Sequence, residues 1–327
     1  MKKNMKKIAV FTSGGDAPGM NACIRAVVRT ALYEGIEVVG IRRGYQGMIE
    51  GDIINMDANS VSNIIQLGGT ILYSARSEDF RTTEGRAKAY KQLKKHKITG
   101  LIAIGGDGTF SGADVFHNEY PDLKIVGCPG TIDNDLFGTD FTIGYNTAIN
   151  TAMDAIDKIK DTANAHNRLF FIEVMGRDAG FIALRSGIAT GAEAVLIPES
   201  KTDIKNLIEI LKESVLRKKT SGIVVVAEGD DTGGAFKIAK KVGKKFDGYE
   251  IRVAILGHIQ RGGRPTCLER VNASRMGMSS VMALLEGKTG VMIGIIHKDI
   301  HYTPFVQATK YHQRLNPVLL DMVKILG

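Results

Sequence analysis

Short apolar segments rich in β-branched residues alternate with helical patterns along this chain, and glycine turns join them. Ile8-Ala9-Val10-Phe11 leads into Gly14-Gly15-Asp16-Ala17-Pro18-Gly19. Residues 101–104 lead into Gly105-Gly106-Asp107-Gly108-Thr109. Residues 169–174 lead into Met175-Gly176-Arg177-Asp178-Ala179-Gly180. Strands that alternate with helices need crossover connections, so the pattern predicts mostly parallel sheets with helices on both faces. Residues 36–41, 223–227 and 253–256 read as further strands. One helix is expected to carry Pro18 in its first turn, run to about Tyr33 and stop at Gly35. Another is expected to be capped by Thr82 or Thr83 and to run through Lys97.

The chain has 327 residues, enough for large cores and usually for two domains. No linker rich in Pro or Ser separates two halves, so a domain division must be discontinuous or tightly packed. Hydrophobic content of 44% and charged content of 24% are ordinary for a soluble globular protein. The longest apolar runs, such as 223–227, are far too short to span a bilayer, and no membrane partner is expected. Lys2, Lys3, Lys6 and Lys7 resemble the basic end of an export signal, but only four apolar residues, 8–11, follow, so export is not expected. Cys23, Cys128 and Cys267 are odd in number and show no metal spacing, which fits a reduced, cytoplasmic thiol state.

A net charge of +8 raises the question of nucleic acid. The lysines spread over several amphipathic stretches, such as 87–97 and 236–245, and Trp is absent. A solvated basic surface with a site for anionic small molecules is the simpler account, without a nucleic-acid partner. The glycine turns fit that account. Glycine lets backbone N–H groups approach an anion, and a helix N-terminus adds free donors and a positive dipole end. There is neither a Gly-x4-Gly-Lys-Ser/Thr loop nor a Gly-x-Gly-x-x-Gly fingerprint after a strand.

Pro129-Gly130-Thr131-Ile132-Asp133-Asn134-Asp135 follows a strand-like segment, 123–128. Carboxylates at the carboxyl edge of a sheet can accept a proton or hold hydrated Mg²⁺. A turn in which Asp and Asn cap backbone groups would also produce such a triplet. A third group is basic: His166, Arg168, Arg177, Arg252, and His258 with Arg261 inside Gly257-His258-Ile259-Gln260-Arg261-Gly262-Gly263. Arg forks bind phosphate oxygens bidentately, and His adds a donor.

In order along the chain, these segments resemble the bacterial ATP-dependent 6-phosphofructokinases. Gly68-Gly69-Thr70 with Ser74-Ala75-Arg76, and Glu173-Val174-Met175-Gly176-Arg177, add to the likeness, which runs from about Ile8 to about Gly294. The resemblance implies two doubly wound, Rossmann-like α/β domains with mostly parallel sheets and the active site in the cleft between them. It places the nucleotide domain at 1–144 plus 260–310 and the sugar-phosphate domain at 145–259 plus 311–327. The implied reaction moves the γ-phosphoryl group of Mg-ATP to the 1-hydroxyl of fructose 6-phosphate.

The resemblance also implies roles. Gly15 offers N–H to the transferring phosphate, Asp107 anchors Mg²⁺, and Gly106, Gly108 and Thr109 line the nucleotide phosphates. Tyr45, Arg76 and Ser77 fall where the family contacts ATP. Asp133 is the base, Thr131 steadies the transferring group, and Asp135 holds the local metal and water network. Arg76 and Arg177 neutralise phosphoryl charge. Met175, Gly176, Glu228 and His258 hold the sugar. Arg168, Arg252, His258 and Arg261 grip the 6-phosphate, Arg168 and Arg252 reaching in from a neighbouring subunit of a homotetramer.

Two rival functions are weighed against this. Pyrophosphate-dependent siblings typically carry Asp where this chain has Gly108 and Lys where it has Gly130. A non-catalytic sugar-phosphate sensor would have lost Asp107, Asp133 or Arg177, and all are present. Arg25 and Arg29, four apart, share a helix face, and such a pair is ordinarily solvated. With Gly191, Glu193, Arg217 and Lys219 they match positions that bind ADP or phosphoenolpyruvate in allosteric relatives. Ala58 stands where a further arginine is expected, and Lys160 replaces another. An effector site that binds phosphoenolpyruvate weakly is the expectation, because Lys lacks the planar fork of Arg.

Overall fold

A computed structural model describes residues 5–326. Lys2 and Lys3 of the basic start lie outside the described residues. In chain order the elements are β1 (Lys7–Thr12), α1 (Met20–Tyr33), β2 (Glu37–Ile41), α2 (Gly44–Glu50), β3 (Ile53–Met56), α3 (Thr83–Lys95), β4 (Gly100–Gly105), α4 (Asp107–Glu119), β5 (Lys124–Thr131), β6 (Ile143–Gly144), α5 (Tyr145–Ala165), β7 (Arg168–Val174), α6 (Phe181–Thr190), β8 (Ala194–Leu196), α7 (Ile204–Leu216), β9 (Gly222–Ala227), α8 (Ala235–Gly243), β10 (Glu250–Ile255), α9 (Cys267–Leu285), β11 (Val291–Ile296), β12 (Asp299–Pro304), α10 (Phe305–Lys310) and α11 (Pro317–Leu326). No helix of the described residues is long and apolar enough to cross a membrane.

The chain divides into two compact units. The first takes in the described chain up to Ile132, then Leu136–Thr147 and Arg261–Gln313. Its sheet has the order β12-β11-β5-β4-β1-β2-β3, with β6 paired to β5. The inner strands are parallel, and β3 and β12 close the two edges in antiparallel pairs. β1 and β4 are near-continuous apolar runs because helices cover both faces. Phe11, Leu101, Ala103, Phe110, Phe116 and Phe305 form the centre of one core cluster. The register sets Thr12 beside Ile104 and Gly105 beside Pro129. The turns after β1, β4 and β5 therefore emerge along one carboxyl edge of the sheet, where ligands of such folds bind.

The second unit takes in Asp133–Asp135, Ala148–Gln260 and the chain from Arg314 on. Its sheet is fully parallel, in the order β10-β7-β9-β8. Leu169, Phe171, Val224, Val226, Leu207 and Ile238 pack its core. Val174 lies beside Ala227 and Glu173 beside Ile255, so the segments at Met175, Glu228 and Leu256 share one edge.

The mostly parallel architecture meets the expectation from the sequence, and local boundaries shift for physical reasons. α1 begins at Met20 rather than at Pro18, because Gly19 takes φ 111° as its N-cap. Met20 N–H instead closes a turn onto the Ala17 carbonyl at 3.2 Å. Thr82 is the cap of α3, its hydroxyl accepting Gly85 N–H at 3.0 Å.

Glu269, in the first turn of α9, is 3% exposed. Its carboxylate accepts the Thr147 N–H at 3.1 Å and the Thr147 hydroxyl at 3.3 Å. Burial pushes its pKa up to about 7, against the pull of backbone donors at Gly144, Thr147 and Asn146. A raised carboxyl pKa means that the folded protein favours the protonated form. The corresponding stability is fully present below pH 4.5 and is lost as pH rises through about 7. Glu269→Gln should therefore gain on the parent by up to about 3 kcal/mol between pH 4.5 and 8. Paired melting curves at pH 5 and pH 8 check this, and an identical Tm gap at both pH values would refute it.

Candidate active site

In the first unit the glycine turns are held close to one another. Gly14 sits at φ 86°. A Cβ at Gly15 would lie 2.5 Å from Nη1 of Arg261, the far end of a flexible side chain that can move aside. That guanidinium donates to the Asp16 carbonyl at 3.3 Å, so Arg261, expected at the sugar phosphate, rests here against the first glycine turn. Thr109 donates its hydroxyl to the Ser13 carbonyl at 3.1 Å and ties the start of α4 to the end of β1. Asp107 is the first residue of α4, with Gly106 as its cap. A Cβ on Gly106 would meet Thr131 at 3.5 Å, whereas around Gly108 there is open space. A helix N-terminus of this kind can receive an anion, and one carboxylate, Asp107, stands beside it.

The segment that carries Arg76 is moored to the same edge. Thr12 donates to the Tyr73 carbonyl at 2.7 Å, Asn21 Oδ1 accepts Ile71 N–H at 2.8 Å, and the Ser74 hydroxyl donates to the Gly14 carbonyl. Arg76 itself is exposed. Ser77 donates to Gln46 Oε1 at 2.7 Å and accepts Phe80 N–H at 3.2 Å. Tyr45 is 6% exposed, stacks on Phe80 with ring centroids 3.9 Å apart, and donates to the Thr109 carbonyl at 2.6 Å. Burial raises its phenol pKa far above the ordinary value. Through this bond Tyr45 braces the first turn of α4.

In the second unit Asp133 is 9% exposed, and Asn134 takes φ 55°, a left-handed conformation that Asn tolerates better than most residues. Gly176 takes φ 143° and Arg177 takes φ 53°. The Glu228 carboxylate holds this strained turn by accepting N–H from Arg177 at 2.7 Å and from Gly176 at 3.3 Å. A non-glycine residue in that region costs on the order of 1–3 kcal/mol and persists where the surroundings impose it. Met175 N–H donates to Oε1 of the fully buried Gln260 at 3.2 Å. Gln260 in turn belongs to the short helical turn Gly257–Arg261 that carries His258.

Arg168 and Arg252 converge on one carboxylate. Arg168 Nε donates to Glu250 Oε2 at 2.7 Å, and Arg252 Nη2 pairs with Glu250 Oε1. The Arg168 guanidinium is the main cause of a lowered Glu250 pKa. A phosphate dianion has the same planar fork to compete for.

Of the effector positions in this unit, Lys160 donates to the Thr190 carbonyl at 2.7 Å beside Gly191, and Glu193 accepts from Ser214 at 2.6 Å and from Lys219 at 2.9 Å. Arg217 pairs with Glu213 at 3.5 Å. In the first unit Arg29 reaches the Ala58 carbonyl at 3.5 Å, and Arg25 is half-buried on the same helix.

Sequence reasoning did not single out Gln46, Glu250 or Gln260. Each acts through a partner distant in the chain; Gln46 and Glu250 lie outside the motifs, and Gln260 lies within one but is neither its His nor its Arg.

Residues 7–284 match the phosphofructokinase family. The ATP-dependent 6-phosphofructokinase of Cytophaga hutchinsonii is 56% identical over 323 residues, covering 99% of this chain and 98% of that protein. ATP-dependent 6-phosphofructokinase 1 of Thermus thermophilus is 54% identical over 323 residues, covering 99% of this chain and all of that protein. The solved structure of phosphofructokinase from Saccharomyces cerevisiae superposes with a TM-score of 0.89 at 37% identity, over 93% of this chain. This chain spans 45% of that yeast chain. With a family match over most of its length and more than half its residues shared with such relatives, the chain belongs to the phosphofructokinase family.

Proposed function

We propose that this protein is an ATP-dependent 6-phosphofructokinase, which moves the γ-phosphoryl group of ATP to the 1-hydroxyl of fructose 6-phosphate and releases ADP and fructose 1,6-bisphosphate. The observation that carries the reading is identity of more than half the residues with the Cytophaga hutchinsonii enzyme across nearly the whole chain. Asp133 takes the proton from the 1-hydroxyl as that oxygen bonds to phosphorus and the bond to the β-phosphate oxygen breaks. Such a transfer depends on positioning and on charge stabilisation. The Gly15 backbone and the Arg76 and Arg177 side chains supply that charge, and Thr131 steadies the group. Gly106, Gly108 and Thr109 border the nucleotide phosphates. Glu228 and Met175 orient the sugar, and Arg168, Arg252, His258 and Arg261 bind its phosphate.

Mg²⁺ belongs to the same reading. Mg²⁺ is commonly held by one or two carboxylates together with substrate phosphates and water. Asp107, with open space beside it at Gly108, fits that demand, and Asp135 is a further oxygen donor to the surrounding water. When bound, the ion neutralises phosphate charge. A coupled assay tests the reading: turnover is expected with ATP and Mg²⁺, and equal or faster turnover with pyrophosphate would overturn it.

A glycolytic role in the cytoplasm and a homotetramer complete the proposal. The half-exposed Arg252 side chain supports a role toward a neighbouring subunit. A solution mass near that of one 35.4 kDa chain would remove the tetramer.

Weak regulation by phosphoenolpyruvate and ADP is supported by Ala58 and Lys160. Ala58 offers only a carbonyl, and Lys160 is occupied by the Thr190 carbonyl. Ala58→Arg adds a charge-assisted bond, so effector affinity should rise roughly ten- to hundredfold. Fructose 6-phosphate saturation curves at several effector concentrations read this out. Tight, strongly cooperative inhibition of the unmodified enzyme by micromolar phosphoenolpyruvate would defeat it.

A further inference from the structure

Arg76 makes no ion pair and no side-chain hydrogen bond among the described residues, so the mooring of its backbone decides where its guanidinium goes. One mooring is Ser74, whose hydroxyl donates to the Gly14 carbonyl. The other is Ser77, whose hydroxyl donates to Gln46 Oε1 at 2.7 Å. The orientation of the Gln46 amide is set from its far side. Nε2 donates to Glu50 Oε1 at 2.8 Å, and the flipped amide would turn its oxygen toward that carboxylate. Glu50 is held in turn by Arg43 Nη2 at 2.6 Å. The Arg43 backbone N–H donates to the Leu72 carbonyl at 2.8 Å, which returns the chain of bonds to the Arg76 segment.

The circuit is closed: Leu72, Arg43, Glu50, Gln46 and Ser77, with Arg76 inside it. It also touches the nucleotide side, because Tyr45, the neighbour of Gln46 on α2, stacks on Phe80 and donates to the Thr109 carbonyl. The first turn of α2 thus fixes both the Arg76 segment and the start of α4.

We propose that Gln46 is a positioning residue for the phosphoryl-transfer step, acting through Ser77 to place Arg76. This rests on the reading that Arg76 stabilises the transferring group. Gln46 touches no reacting atom. Its loss lets the Arg76 segment drift, and a displacement of about 1 Å in a positioning group can cost roughly a hundredfold in rate. The Ser77 hydroxyl then has a role besides any contact with nucleotide: it is the acceptor side of the Phe80 turn and the donor to Gln46.

The test uses the full chain and compares Gln46→Met, Arg76→Ala and the double variant. Met conserves length and volume and removes both bonds of the amide. Gln46→Met should lower kcat roughly ten- to a hundredfold, with KM for fructose 6-phosphate within about twofold and Tm nearly unchanged. In the Arg76→Ala background the same substitution should cost nothing further, because the group it places is gone. Ser77→Ala, which removes the other end of the bond, should reproduce the loss and serves if Gln46→Met does not fold. An equal loss in the Arg76→Ala background would mean a general structural defect and would overturn the proposal. Parental kcat for Gln46→Met, beside a slow Arg76→Ala, would overturn it as well. Parental kcat for Arg76→Ala itself would instead strike the catalytic reading of Arg76 on which the proposal stands.

Discussion

Asp133→Asn is expected to lower turnover by roughly 10²–10⁴, with fructose 6-phosphate affinity changed by no more than a few-fold. The amide keeps the shape of the side chain and its place in the buried segment after β5, and it loses only the ability to take a proton. Asp133 is 9% exposed, so water does not readily replace it as the proton acceptor. Asn134 at φ 55° turns the chain between the two carboxylates. If Asp133 served only to order this turn, Asn would serve nearly as well and turnover would survive. Steady-state kinetics on a variant shown by circular dichroism to be folded decides between the two. Near-parental turnover would sink the assignment.

What the sequence revealed of the fold followed burial on both faces. β4 and β9 are apolar throughout, β1 from Ile8 to Phe11 and β7 from Leu169 to Ile172, and glycine stands in the turns after β1, β4 and β7, so strand, turn and helix could be read together. α2 was not legible: it has seven residues, two of them glycine, and it owes its existence to tertiary bonds made by Tyr45 and Gln46. β3 has only four residues, and β12 is a largely exposed, mostly polar edge strand, so neither carries the sustained apolar run of the inner strands. The antiparallel pairs at the sheet edges were missed for that reason.

The site divides the same way. Asp107, Asp133 and Arg177 lie in contiguous motifs, so the residues could be singled out, while their roles came as what the family resemblance implies. Glu250 gathers Arg168 from a strand 82 residues away, a pairing that only the β7–β10 register creates. Gly15 was legible as a glycine offering its backbone N–H, but its neighbour Arg261, brought from 245 residues beyond Asp16, was not. Tyr45 was placed beside the nucleotide by resemblance, and its hydrogen bond to Thr109 gives it a second, structural duty. Long-range partners of single side chains leave no periodicity in a sequence, and this is the part that coordinates supply.

Gly108→Asp is expected to cut kcat/KM for ATP by roughly a hundredfold or more while leaving stability intact. Gly108 is exposed in the first turn of α4, and a Cβ built there meets nothing within 4 Å. Its backbone is not left-handed, so an L side chain fits without strain. A carboxylate near a helix N-terminus is favourable for folding by a few tenths of a kcal/mol up to about 1. The cost falls on the nucleotide. A second negative charge beside Asp107 meets the phosphates at close range, where two unit charges about 4 Å apart repel by roughly 4 kcal/mol at an effective dielectric of 20. Gly130, the other glycine weighed against a pyrophosphate-dependent reading, cannot be tested as cleanly. A Cβ there would lie 2.9 Å from Met20 Cε and 3.2 Å from the Gly105 nitrogen, so substitution disturbs packing before it disturbs chemistry. Gly108→Asn separates charge from bulk, since it is isosteric with Asp and neutral. The expected order of kcat/KM for ATP is parent, then Asn, then Asp far below, with melting temperatures nearly equal. An Asp variant as fast as the parent would show that the phosphates do not pass this turn, and an Asn variant as slow as Asp would show that bulk, not charge, excludes the nucleotide.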